Sequence, residues 1–199
     1  MSISDFETVK HSLKEFLRDK NTKAKLSHIL DKKSNDWEKW FQIEFEFFLE
    51  HTLKYSAKRE VKAKINQKHQ TGRQYAFVDL IFRKKHTRVD RFIYLEFKLA
   101  KRATILINNM WEDLSKNRQI VSSHYTNTGL KRRSLWCIGF YRDFSPVSLN
   151  RAEDSLYKDY SKYYSIHHEP IYICKCRGKR HFISCNKVGL VIIGSGSDN

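Results

Sequence analysis

Hydrophobic and polar positions recur along this chain with two different periods, and the switches between them divide it into elements. After Ser4, with Asp5 and Glu7 close behind, the apolar residues Phe6, Val9, Leu13, Phe16 and Leu17 fall at helical spacing, which predicts a helix opened by a serine cap. A polar, lysine-rich break, DKKSND, follows, where Asn35 and Asp36 are candidate caps for a second helix, WEKWFQIEFEFFLEHTL. The period then shortens. KREVKAKI, YAFVDLIF and RFIYLEFKL read as three extended segments joined by the basic connections NQKHQTGRQ and RKKHTRVD. Helical spacing returns in INNMWEDLSKNRQIVSSHY, with Ile107, Met110, Trp111 and Leu114 on one face, and SLWCIGFYR predicts a fourth strand. A helix over SLNRAEDSLYKDYSKYY, a C-terminal hairpin of PIYICKC and HFISC around Arg177-Gly178, and a frayed SGSDN complete the order α-α-β-β-β-α-β-α-β. That order predicts a mixed α/β layer arrangement.

Two of the strands carry charge where the pattern calls for apolar residues. In RFIYLEFKL, alternation puts Phe92, Tyr94, Glu96 and Lys98 on one face and Ile93, Leu95, Phe97 and Leu99 on the other. In YAFVDLIF, Asp79 shares a face with Phe77 and Ile81, opposite Val78, Leu80 and Phe82. If these two strands pair as a hairpin, Asp79 lies beside Glu96 and Lys98. Carboxylates a few Å apart repel unless a cation lies between them, and hard oxygen ligands of this type suit Mg²⁺. The second helix adds another acid. Trp37, Trp40, Phe41, Glu44 and Phe48 share one helical face, so Glu44 is expected to face the sheet while Glu38, Lys39, Glu46 and Glu50 face solvent. An ionised glutamate among aromatic rings costs several kcal/mol unless it is paired or bound to metal.

Composition narrows the partner. The 199 residues suit one domain, and 40% hydrophobic content with two prolines and seven glycines excludes a low-complexity chain. Thirty-eight Lys and Arg against 22 Asp and Glu leave a net charge of +16, which favours a polyanion, nucleic acid above all. The charge is spread along the chain rather than gathered on one amphipathic helix, so an anionic membrane fits less well, and no apolar run approaches a spanning length. Four cysteines and no apolar leader in MSISDFETVKHSLKEF predict a cytoplasmic setting.

A helix with an inward acid, a hairpin, Asp79 on the second strand, then Glu96-x-Lys98 on the third and a following helix: this set resembles the PD-(D/E)xK nuclease superfamily, the restriction-endonuclease-like fold. The resemblance covers about residues 37–140. It implies one nuclease-like domain over 1–199: a mixed β-sheet core flanked by helices, an N-terminal helical extension over 1–34, and a C-terminal helix and hairpin over 141–199. It further implies an endonuclease that hydrolyses phosphodiester bonds, DNA before RNA, with Mg²⁺ (Mn²⁺ as substitute) held by Asp79, Glu96 and Glu44. Lys98 is then the catalytic lysine and Glu44 the supporting helix acid. Val78 stands where the motif's proline would be. Some branches carry a glutamine and a tyrosine on the following helix; Gln119 is a candidate, but Tyr125 lies six residues later. Glu60 is an alternative acid on the first strand. A homodimer is compatible with this reading.

Other constellations carry less. Cys174-x-Cys176, His181 and Cys185 have the elements of a zinc ribbon but lack a Cys-x-x-Cys knuckle, so they are read as packing residues, and Cys137 as core. His167-His168 is read as a solvated loop, and no glycine-rich phosphate loop is present. The basic clusters KREVKAK, RKKHTR, LKRR and KCRGKRH suit a phosphate-binding cleft when taken together. The rival readings are a non-catalytic nucleic-acid-binding module of the same fold and a zinc-bearing binding protein.

Overall fold

The computed structural model describes residues 4–32, 37–65, 75–88, 91–117, 120–123, 130–142, 146–160, 164–173 and 186–196. Helix α1 (Asp5–Arg18) opens on Ser4, whose hydroxyl accepts from the Glu7 N–H at 3.2 Å, and buries Val9, Leu13, Phe16 and Leu17. Asp19 ends α1 and caps α2 (Lys20–Asp31), accepting from the Thr22 N–H at 2.9 Å. Helix α2 is not among the elements expected above: its stripe is short, Leu26 buried with Ile29 and Leu30 partly buried against the core, and it stands in a lysine-rich stretch. Helix α3 (Glu38–His51) follows without a side-chain cap at Trp37; the expected caps Asn35 and Asp36 lie outside the described residues.

Three antiparallel strands come next, β1 (Ser56–Ile65), β2 (Tyr75–Arg83) and β3 (Arg91–Ala100). Helix α4 (Ala103–Asn117) then carries the chain across to β5 (Leu130–Tyr141), which lies parallel to β3 over ten paired positions. A parallel neighbour requires such a crossover, and α4 supplies it. Between α4 and β5 the short β4 (Ile120–Ser123) bridges β1 and the start of β5. Helix α5 (Pro146–Asp154) runs on into a π-helical turn over Ser155–Tyr160, and the antiparallel β7 (Asn186–Gly196) and β6 (Ser165–Ile173) extend the sheet beyond β5. The architecture is a mixed α/β sheet flanked by helices.

The sheet has a core on each face. Phe41, Phe45, Phe97, Trp136 and Phe140 lie in the cluster with α1, α2 and α3. Tyr94, Cys137 and Val191 lie in the other, under Leu106, Ile107 and Met110 of α4. The β1–β2 hairpin changes sides partway along. Ala57, Leu80 and Phe82 belong to the first cluster, whereas Val61, Ala63 and Val78 belong to the second. The change falls at Glu60, whose φ of 52° breaks strand geometry, and at Asp79 facing it across the β1–β2 register. A left-handed residue other than glycine is uncommon in a strand, and here it re-aims the chain.

Four expectations are corrected. The helix predicted to reach Tyr125 ends at Asn117, and Ile120–Ser123 forms a strand, as β-branched residues beside an open β1 edge favour. The C-terminal hairpin pairs Ser165–Ile173 with Asn186–Gly196, because Val188, Leu190, Val191, Ile192 and Ile193 make a strand buried on both faces. His167 and His168 therefore lie within β6 rather than in a loop, and Ser195 and Gly196 belong to β7 rather than to a frayed tail. Cys174, Cys176, His181 and Cys185 lie outside the described residues. Among the described residues no helix is long and apolar enough to cross a membrane.

Candidate functional site

The interruption in the hairpin sets up the site. β2 and β3 pair at Phe82–Ile93, Ile81–Tyr94 and Leu80–Leu95, so the next opposed positions are Asp79 and Glu96. At that point the ladder stops, and the Phe97 N–H donates to Asp79 Oδ2 at 2.8 Å. A carboxylate thus replaces a backbone carbonyl as acceptor, and the two strands part without leaving the N–H unsatisfied. Asp79 is therefore fixed beside β3 at the point where the two strands separate.

Glu96 lies on the α4 side of β3 and is 6% exposed. Burial holds its pKa well above the usual carboxylate value. The charges of Asp79 and Asp113 and a hydrogen bond with the Asp79 side chain act in the same direction, while Lys98 opposes them. Its Oε1 is buried without a hydrogen-bond partner among the described residues. Cys137 stands in register with Glu96 on β5, fully buried, and desolvation followed by the Glu96 charge pushes its thiol pKa up as well.

Lys98, two residues on, reaches Asp113 Oδ2 of α4 with its Nζ at 2.7 Å. Burial alone would lower its pKa, but the Asp113 hydrogen bond and charge, with Glu38 and Asp79, outweigh that and raise it. Lys98 is accordingly a fixed cation at any ordinary pH. The contact depends on how closely α4 approaches the sheet. Gly139, the β5 partner of Lys98, lies so near α4 that a Cβ there would stand 2.5 Å from Met110 Sδ and 2.8 Å from a Leu106 methyl. Asp113, three residues beyond Met110, is brought to the lysine by that fit.

Helix α3 also supplies an acid, but a different one from that expected. Glu44 pairs with Lys25 of α2 at 2.7 Å. Glu38, in the first turn of α3, lies partly buried, and burial raises its pKa, with Lys98 opposing and Asp79 contributing. The reason is that α3 has two buried sides. Phe16 of α1 packs on Phe41, Phe45 and Phe48 at ring distances of 5.1–5.4 Å, whereas Phe97 of the sheet meets Phe41 and Phe45 at 5.4 and 6.2 Å. The aromatic stripe read from the sequence is shared between helix and sheet, and Glu44 flanks its helix side. Six residues also separate Glu44 from Glu38, about 9 Å along the axis. Glu60 points outward to Lys39 on α3, and Gln119 lies outside the described residues.

The structure thus brings together Asp79, Glu96 and Lys98 as expected, replaces Glu44 by Glu38, and adds Asp113. Lys98 pairs with Asp113 and interacts electrostatically with Asp79, Glu96 and Glu38. Among the described residues no group of three or more His, Cys, Asp or Glu side chains is already arranged to hold a metal ion. The donor set nonetheless suits a hard divalent cation: oxygens only, an excess of negative charge, and a buried Glu96 oxygen with no partner. Comparison with protein-family models, curated proteins and solved structures finds no match to this chain.

The Glu96 shift makes a stability prediction. Its folded pKa lies above the unfolded value of about 4.3, so the unfolded chain loses its proton first. Stability without metal therefore falls as pH rises from that value through the folded pKa. Glu96→Gln removes this penalty while Asp79, Asp113, Glu38 and Lys98 stay in place. Melts in EDTA should show the variant above the parent by about 2–4 °C at pH 7.5, equivalent to ~1 kcal/mol, with the gap closing near pH 4. An equal or lower melting temperature at pH 7.5 would show that Glu96 is not an electrostatic burden on the fold.

Proposed function

We propose that this chain is a Mg²⁺-dependent nuclease of the PD-(D/E)xK type that hydrolyses phosphodiester bonds of nucleic acid, DNA in the first instance. The observation that carries the reading is Asp79 meeting buried Glu96 where two strands part, with Lys98 held charged beside them. The strand order supports it: an antiparallel β1–β2–β3 run, a helical crossover, and a parallel β5, with helices on both faces, suits a restriction-endonuclease-like core. The net charge of +16 supports the substrate class.

In this reading Asp79 and Glu96 hold the metal, with Glu38 available from α3. When bound, Mg²⁺ supplies a Lewis acid that polarises a phosphoryl oxygen and favours deprotonation of a water. Glu96 must release its proton to take part, so metal affinity should rise with pH through its raised pKa. Lys98 keeps its proton, so it does not act as a base; it orients the attacking water and offsets charge developing on the phosphoryl oxygens. Asp113 positions Lys98. A purely binding module of this fold would gain stability by replacing the buried acids with apolar residues, which weighs against it.

Incubating plasmid, linear and single-stranded DNA, and RNA, with Mg²⁺, Mn²⁺ or EDTA tests the reading. Cleavage that EDTA abolishes is expected, and no cleavage of any substrate in either metal would sink it. Within that assay Glu38→Gln should lose about 10- to 100-fold in metal affinity or rate, the range for groups that support a metal site. Glu44→Gln should stay within about twofold, because the Lys25 pair it breaks is on the surface. The reverse ranking would restore Glu44 as the helix acid. Binding to DNA in EDTA should weaken linearly in log–log salt titrations, with a slope near −0.9 per phosphate contacted; a flat response would assign the positive charge to another purpose.

A further inference from the structure

A second charged site lies at the opposite end of β3. A cavity of about 200 Å³ opens between the start of α1 and the turn after β2, and Arg83, Lys84, Arg91 and Arg133 all line it. Among the described residues Asp5 is the one acid on its wall, and it already pairs with Arg133 at 2.9 Å. Among the described residues the cavity therefore gathers four cations from β2, the turn, β3 and β5 against a single carboxylate. Like charges brought this close repel unless an anion lies among them.

Arg83 is held in place for such a role. Its Nη1 donates to the Lys84 and Lys85 carbonyls at 3.3 and 3.1 Å, and its guanidinium lies 5.6 Å over the Phe92 ring. Its Nε is buried with no hydrogen-bond partner among the described residues, so the fold does not use this group's full donor capacity. A buried donor left unpaired destabilises the fold unless a ligand accepts from it. Lys84 has no acidic partner among the ion pairs of the described residues, and neither does Arg91, which is exposed at the rim. Fork-shaped guanidinium groups that converge with a lysine match the oxygens of a tetrahedral oxyanion.

We propose that this cavity binds a phosphate group. It is separate from the carboxylate cluster: Arg91 lies five residues from Glu96, about 17 Å along the strand, and alternation puts it on the other face of β3. The proposal does not depend on the nuclease reading. If that reading holds, the cavity takes a second phosphate of the same substrate, such as a strand end.

Calorimetric titration with inorganic phosphate, against chloride at equal ionic strength, tests it. One phosphate per chain is expected. Lys84→Ala combined with Arg91→Ala should weaken it at least tenfold without lowering the melting temperature, since among the described residues neither side chain is paired to another element. Arg83→Gln should weaken it too, and its melt separates lost binding from lost folding. Asp79→Asn with Glu96→Gln should bind phosphate as the parent does. Phosphate acting no differently from chloride, or binding unchanged by the double alanine variant, would overturn the proposal, as would loss of binding in the carboxylate variant. If a 5′-phosphorylated oligonucleotide displaces phosphate and its 5′-hydroxyl twin does not, the ligand is a strand end. If neither does, the pocket stands and its ligand is a free phosphate.

Discussion

Asp79→Asn and Glu96→Ala should each reduce Mg²⁺-dependent cleavage by at least about a thousandfold while leaving metal-free DNA binding intact or tighter. The two halves of this result have separate causes. Each change removes one anionic oxygen donor, and a divalent ion that loses a carboxylate loses both affinity and the ability to stabilise charge on the transferring phosphoryl group. Asp79→Asn also removes negative charge near the bound phosphate, so the long-range attraction of a +16 chain for nucleic acid grows slightly, whereas Glu96, which burial favours in its protonated form without metal, leaves that attraction little changed when it is lost. Asparagine is the cleaner choice at 79. Its amide oxygen can still accept from the Phe97 N–H, whereas alanine would leave that donor without its 2.8 Å partner and cost about 1–3 kcal/mol. Calorimetric Mg²⁺ titration, single-turnover cleavage and a melting curve on the same samples separate site loss from unfolding. Parental cleavage by both variants would remove the nuclease assignment from this site.

Lys98→Ala should lose about 10²- to 10³-fold in cleavage with metal affinity largely kept, which distinguishes a cation near the reaction from a ligand. Asp113 would then face Glu96, Glu38 and Asp79 with its 2.7 Å partner gone, so Asp113→Asn in the same chain should recover any lost stability but no activity. Since Lys98 holds its proton firmly, the parent's pH–rate profile should contain no limb from a titrating lysine between about pH 7 and 10. An activity loss in Lys98→Ala that matched a loss of Mg²⁺ binding would place the lysine in a structural role.

The parts of the site visible in the sequence were those on strands. A carboxylate in an apolar run of period two has its face fixed by parity, so Asp79, Glu96 and Lys98 were legible once β2 and β3 were paired. Helices are harder. The apolar arc of α3 gave its buried sides but not which of them met α1 and which the sheet, and that difference separates Glu44 from Glu38. Asp113 follows the Leu106–Met110 stripe by one turn, yet acids beside an apolar stripe are common on exposed helices, and the close approach at Gly139 cannot be read from spacing. The displaced C-terminal pairing has another cause. VGLVII follows HFISC closely and both pass as strands by composition; the pairing of VGLVII with β5 and β6 is a tertiary fact that composition does not carry, and HFISC lies outside the described residues. Helix α2 escaped because its apolar stripe is a single turn, Leu26, Ile29 and Leu30, and so short a helix depends on its packing against the core.

Cys137 gives this protein an internal clock. A fully buried thiol with a raised pKa reacts with an alkylating reagent only when the structure above it opens, and Cys137 lies beside Glu96 on the next strand, on the sheet face that α4 covers. In a chain with Ser at 174, 176 and 185, the labelling rate would count the openings of that one layer, free of the rest of the molecule. A divalent ion bridging the acids of β2 and β3 would slow the count, and one binding elsewhere would leave it unchanged.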